Sequence, residues 1–122
     1  MAIDLTKSFL ATRQEIPFGE REIPNRAFAY YNNLYEINLP IARKIGKAAF
    51  IGCDGVTSLE FPMVTEIAEG AFQFCSGVVS VDAPQATSIG IKSFAGCSSL
   101  TRVNLPALTS AAIASFRNCS SL

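Results

Sequence analysis

Apolar residues return along this chain on two scales. On the short scale, Leu34, Ile37 and Leu39 are spaced apolar-x-x-apolar-x-apolar, and Ile37 and Leu39 alternate with Glu36 and Asn38. That period of two predicts a strand with one face turned inward and Glu36 and Asn38 turned out. The spacing recurs at Val56, Leu59 and Phe61, at Val78, Val81 and Ala83, and at Leu100, Val103 and Leu105. On the long scale the period is 22 residues: Phe28, Phe50, Phe72, Phe94 and Phe116 share one column, and Ile45, Ile67 and Ile89 another. A repeat of this length marks stacked coils, none of which can bury its apolar side alone.

The other columns fix the elements within a coil. Pro40, Pro62, Pro84 and Pro106 follow each strand by the same offset. Proline cannot donate to a ladder, so each is expected where the chain leaves the sheet. A second short extended stretch is expected at Arg43 to Ile45, Thr65 to Ile67 and Thr87 to Ile89. Lys47 to Phe50 and Glu69 to Phe72 are poor in β-branched residues and predict a single helical or 3₁₀ turn. The fold class is therefore a repeat solenoid of about four to five coils, each holding two short parallel strands and a tight turn.

Composition narrows the function more than the fold. Ten Lys and Arg balance ten Asp and Glu in 122 residues, leaving no net field to draw nucleic acid or an anionic membrane surface. Neither is expected as a partner. Half of the residues are hydrophobic and only 16% are charged, far from the composition of disordered chains. With no histidine, the commonest general base and metal ligand is missing. No phosphate-binding loop, nucleophile elbow or calcium loop appears either. Lys92 with Ser93, and the carboxylates Glu66 and Glu69, occupy repeat positions whose chemistry changes from coil to coil. They read as surface, and no catalytic residue, cofactor or metal ion is expected.

All four cysteines, Cys53, Cys75, Cys97 and Cys119, fall in one column behind the phenylalanines, with Tyr31 in the first place. Their separation is unlike paired metal-ligand spacing. Stacked strands would hold the β-carbons farther apart than the roughly 3.8 Å a disulfide prefers. The column is read as buried, reduced thiols acting as small hydrophobes, ahead of disulfides or a metal site. Tyr31 should then be core. Tyr30 and Tyr35 should be half exposed, and packing against a cap is favoured over a ligand site.

The segment from Ile89-Gly90 through Ser93-Phe94, Cys97 and Leu100 to Val103, Leu105 and Pro106 resembles the BspA-like class of bacterial leucine-rich repeats. The likeness covers about Ile23 to Leu122. In the last coil Ala111-Ala112 replaces the family's Ile-Gly, and the span from proline to the next isoleucine is one residue short. The resemblance implies a right-handed leucine-rich-repeat coil that serves as a protein-interaction or adhesion module in bacterial surface or secreted proteins. A structural or docking element of a prophage or tail-like assembly is the alternative. Neither the protein ligand nor the location is legible in the residues.

The domain plan is an N-terminal cap over residues 1–22 and a solenoid over 23–122. The first residues lack the basic-then-apolar pattern of a secretion signal, and no window approaches the ~18 apolar residues of a membrane span. The last coil stops mid-repeat at Asn118 to Leu122. This predicts either a piece of a longer array or a homodimer paired through Phe116, Cys119 and Leu122. The natural binding face is the row of outward strand positions: Glu36 and Asn38, Ser58 and Glu60, Ser80 and Asp82, Arg102 and Asn104. The column Asn38, Glu60, Asp82 and Asn104 consists of acceptors and suits a basic peptide segment or a cation, although a merely solvated sheet face is favoured.

Overall fold

Parallel strands stack into a β-solenoid of about four turns in the computed structural model, which describes residues 2–4 and 21–122. Each coil gives one strand to each of two sheets. β1 (Ala2–Asp4), β3 (Glu36–Asn38), β5 (Ser58–Glu60), β7 (Ser80–Asp82) and β9 (Arg102–Asn104) belong to the first side. The second side holds β2 (Glu22–Ile23), β4 (Lys44–Ile45), β6 (Glu66–Ile67), β8 (Ser88–Ile89) and β10 (Ser110–Ala111). Pairing is parallel at an offset of 22, so Leu59 faces Val81 and Val81 faces Val103, while Ile45 faces Ile67 and Ile67 faces Ile89. The first strands are as expected, and the prolines lie just past them. In the last coil Ala111 still pairs with Ile89, so the loss of Ile-Gly there leaves the second sheet intact.

Two features depart from the expected coil. No helix forms among the described residues. The segments 25–30, 47–52, 69–74, 91–96 and 113–118 are runs of turns. Within each, alternate N–H groups bond three residues back, as in Ala49 to Gly46, Ile51 to Ala48 and Cys53 to Phe50. The N–H groups between them donate to the next coil: Ala48 to Glu69, Phe50 to Ala71 and Gly52 to Gln73. A longer, continuous helix would have turned the later of these donors back into its own coil, whereas one short turn leaves them free to bond the next. The turn therefore supplies a third inter-coil ladder, which local helix propensity does not outweigh.

The second departure is a break in the first sheet. The second sheet is continuous through all five strands, but the first divides into β1 with β3, and β5 with β7 and β9. Phe61, the bulkiest member of the column Leu39, Phe61, Ala83 and Leu105, follows β5 and is fully buried against Phe72. β1 lies parallel to β3 with Ile3 opposite Ile37. The rest of the expected cap lies outside the described residues.

The core runs down the axis as a file of rings. Phe28, Phe50, Phe72, Phe94 and Phe116 stack with centroids 5.3 to 5.5 Å apart and planes within 13°. The first four are fully buried. Offset stacking suits the aromatic quadrupole, and the coil-to-coil rise sets the spacing. Tyr31 is only half buried and meets Phe28 edge-on at 5.7 Å, so it borders the core instead of filling it.

Candidate interaction face

Register brings the expected outward residues together in part. Ser58, Ser80 and Arg102 face one another across β5, β7 and β9, as do Glu60, Asp82 and Asn104. Of these, Glu60, Ser80, Asp82, Arg102 and Asn104 line an open groove of about 720 Å³ that Leu122 also borders. The carboxylate column is not purely accepting, because Asn104 Nδ2 donates to Asp82 Oδ1 at 2.8 Å. Glu36 is set apart by the break in the sheet. It shares a separate opening of about 170 Å³ with Tyr35, Ser58 and Glu60. Asn38 ends β3, and its side chain lies outside the described residues. The result is a short polar face over three coils with an acidic centre and one arginine.

The opposite sheet carries a face that the strand pattern did not single out. Glu22, Lys44, Glu66 and Ser88 form its outward column and border a groove of about 700 Å³ floored by Gly46, Ala68 and Gly90. Lys44 Nζ stands 4.0 Å from Glu22 and 3.5 Å from Glu66, and Lys47 stands 3.9 Å from Glu69. These pairs are exposed and contribute little each. The signal was available as a column alternating in sign at 22-residue spacing. Glu66 and Glu69 are thus surface groups with lysine partners. Ser93 corrects the surface reading: it is fully buried in the column of Ala27, Ala49 and Ala71, and its hydroxyl has no partner among the described residues.

The cysteines are free thiols, and they do more than fill space. Cys53, Cys75 and Cys97 donate to the carbonyls of Phe28, Phe50 and Phe72 of the preceding coil at 3.1, 3.1 and 3.3 Å. Cys119 does the same to Phe94 at 3.1 Å. Burial pushes the thiol of Cys53 up to about 11 and that of Cys97 up to about 12. Burial likewise holds Cys75 well above the ordinary value and raises Cys119. Nucleophilicity requires thiolate, so this column is chemically quiet. Among the described residues no group of three His, Cys, Asp or Glu is placed to hold a metal ion.

A solenoid of 22-residue coils with an in-register phenylalanine file and a thiol column defines a leucine-rich-repeat protein. The chain belongs to the BspA type leucine rich repeat family, whose pattern matches residues 12–122 in six copies. Among solved structures, it is similar to a leucine-rich repeat protein from Bacteroides ovatus, with 28% identity and a TM-score of 0.65, over 69% of this chain and 23% of that one. It is also similar to a leucine rich cell surface protein from Faecalibacterium prausnitzii, with 20% identity and a TM-score of 0.62, over 75% of this chain and 31% of that one. The chain thus spans a third or less of the length of these proteins. No curated protein matches it in sequence.

Proposed function

We propose that this chain is a non-enzymatic protein-interaction module of an adhesin-like bacterial surface or secreted protein, and that the outer face of β5, β7 and β9 takes up an extended basic segment of a protein ligand. The observation that carries the reading is the in-register placement of Glu60 and Asp82, one coil apart, above the groove that Arg102 and Asn104 complete. Two carboxylates about 4.8 Å apart lie within reach of the long, flexible cationic side chains that an extended peptide presents on one face every ~6.6 Å, and Arg102 selects against segments of unbroken positive charge. Family membership supports the interaction role, and the resemblance supports the surface setting. With strands about 4.8 Å apart, the face is small beside a standard interface, so a single module binds weakly.

A random peptide display library panned on the immobilised chain tests this. Enriched peptides should carry Lys or Arg at alternate positions and lose binding to a Glu60→Lys, Asp82→Lys variant. Peptides that bind this variant as well as the parent, or an absence of enrichment, would overturn the assignment.

A further inference from the structure

On the turn side of the solenoid, residues 30, 52, 74, 96 and 118 form a column whose backbone has positive φ throughout: Tyr30 61°, Gly52 70°, Phe74 62°, Gly96 77° and Asn118 60°. Tyr, Phe and Asn hold this conformation, so φ alone does not demand glycine at 52 and 96. The neighbouring rings do. A β-carbon on Gly52 would stand 2.4 Å from the Tyr30 ring, and one on Gly96 would stand 2.8 Å from the Phe74 ring. Each ring leans over the glycine of the next coil and remains largely open to solvent, 58% for Tyr30 and 53% for Phe74. Large exposed rings, seated at fixed places outside the core, mark a recognition surface. The adjoining column, Asn32, Asp54, Ser76 and Ser98, is exposed, short and polar throughout. The Asn32 side-chain amide lies against the carbonyls of Tyr30 and Gly52, and with its NH₂ turned toward them it donates to both, at 3.3 and 3.2 Å.

We propose that this stripe is a carbohydrate site for an extended β-1,4-linked glycan lying along the solenoid axis. Tyr30 and Phe74 stack on alternate sugars, and Asn32, Asp54 and Ser76 take hydrogen bonds with the hydroxyls. A pyranose presents C–H groups on its faces and hydroxyls around its edge. An aromatic quadrupole attracts the former, while amide, carboxylate and hydroxyl side chains satisfy the latter. The coil sets the spacing: each turn advances about 5 Å, close to one sugar of an extended β-1,4 chain, so rings two coils apart meet every second sugar. A protein partner fits less well, because glycines separate the rings and leave no contiguous apolar centre. An anionic lipid surface is disfavoured, since neither column contains Lys or Arg through Ser98. The site lies on a different side from the acidic strand face, so the two readings stand or fall separately.

The test uses cellohexaose and chitohexaose as probes, maltohexaose as the α-linked control, and saturation-transfer NMR with calorimetric titration of the 122-residue chain. The parent should bind the β-linked sugars and not maltohexaose. Tyr30→Ala and Phe74→Ala should each weaken binding about tenfold, as loss of one stacking contact implies, with a cooperative melting transition retained. Tyr30→Phe should retain binding. Gly96→Ala, which displaces the Phe74 ring without removing it, should weaken binding, while Glu60→Lys, Asp82→Lys should leave it unaltered. No binding of either β-linked hexasaccharide, equal binding of maltohexaose, or full binding by a folded Phe74→Ala variant would overturn the proposal.

Discussion

Replacing Phe72 with alanine probes the axial ring file at its most crowded point. Phe72 is fully buried, and three rings lie 5.4 Å from it: Phe50 below, Phe94 above and Phe61 beside it. Removing the ring forfeits its transfer free energy and leaves a void, which together cost roughly 3 to 5 kcal/mol for a buried phenylalanine. Each aromatic pair adds about 0.5 to 1.5 kcal/mol beyond area burial, placing this site at the upper end of that range. Relaxation cannot close the void cheaply. Phe72 N donates to Ser93 O at 2.8 Å and Phe50 N donates to Ala71 O at 2.9 Å, which holds the coils at fixed separation.

The assay is urea denaturation followed by circular dichroism, with Phe116→Ala as the internal comparison. Phe116 ends the file, touches one ring at 5.5 Å and is only half buried. At similar unfolding slope, Phe72→Ala should lower the midpoint far more than Phe116→Ala. In a thermal scan, a loss of about 4 kcal/mol corresponds to roughly 10 to 20 °C for a chain of this size. Equal midpoints for the two variants would refute the claim that inter-coil ring stacking carries the stability.

Three further outcomes are expected. Ser93→Ala matches its column neighbours Ala49 and Ala71 and removes a buried hydroxyl without a partner, so urea denaturation should show a gain of about 1 to 2 kcal/mol; a loss would mean that the hydroxyl is satisfied. The thiol column makes stability fall at high pH. Burial raises the folded values of Cys53 and Cys97 to about 11 and about 12, so the neutral thiol is the form that folding favours. The contribution is complete below the unfolded thiol value near 9 and is lost as pH rises toward those folded values. Unfolding midpoints measured from pH 7 to 11 should decline above about pH 9, and a Cys53→Ala, Cys75→Ala, Cys97→Ala variant should flatten that decline. Finally, the last coil exposes Leu122 and Ile113 and leaves Phe116 and Cys119 half buried, and we propose that the 122-residue chain dimerises there. Light scattering should show a dimer that Leu122→Lys weakens, and a monomer at high concentration would refute it.

The parts of the fold legible in the sequence are those that stacking forces to repeat. An inward side chain meets its equivalents in the coils above and below, so Phe50, Cys75 or Val81 can change only within what its column tolerates. That constraint writes the 22-residue period. The turn is legible in part: the bonds three residues back, such as Ala49 to Gly46, are of the expected 3₁₀ kind, but single-chain propensity carries no information about the N–H groups between them that bond the next coil. The break between β3 and β5 was hidden for a related reason. Ile37 and Leu59 keep the 22-residue register, and nothing in their residue types marks that backbone pairing lapses between their strands.

The candidate sites follow the opposite logic, and this explains why they were less legible. Outward positions are not packed against the coils above and below, and exposed pairs such as Lys44 with Glu66 or Asn104 with Asp82 constrain them only weakly, so Glu36, Ser58, Ser80 and Arg102 share a column without sharing chemistry. A column of that kind is informative only when something other than solubility limits it. The turn column supplies such a limit, since its alternation of ring and glycine is imposed by contact between coils: Gly52 is small because Tyr30 lies over it, and Gly96 because Phe74 does. Yet no rule of packing requires Tyr30 or Phe74 to be large at an exposed place, for Asn118 occupies the same backbone conformation with a short polar side chain. The glycines answer to the fold and the rings do not, so the rings are the side chains on this surface for which function, and not stability, is the simpler account.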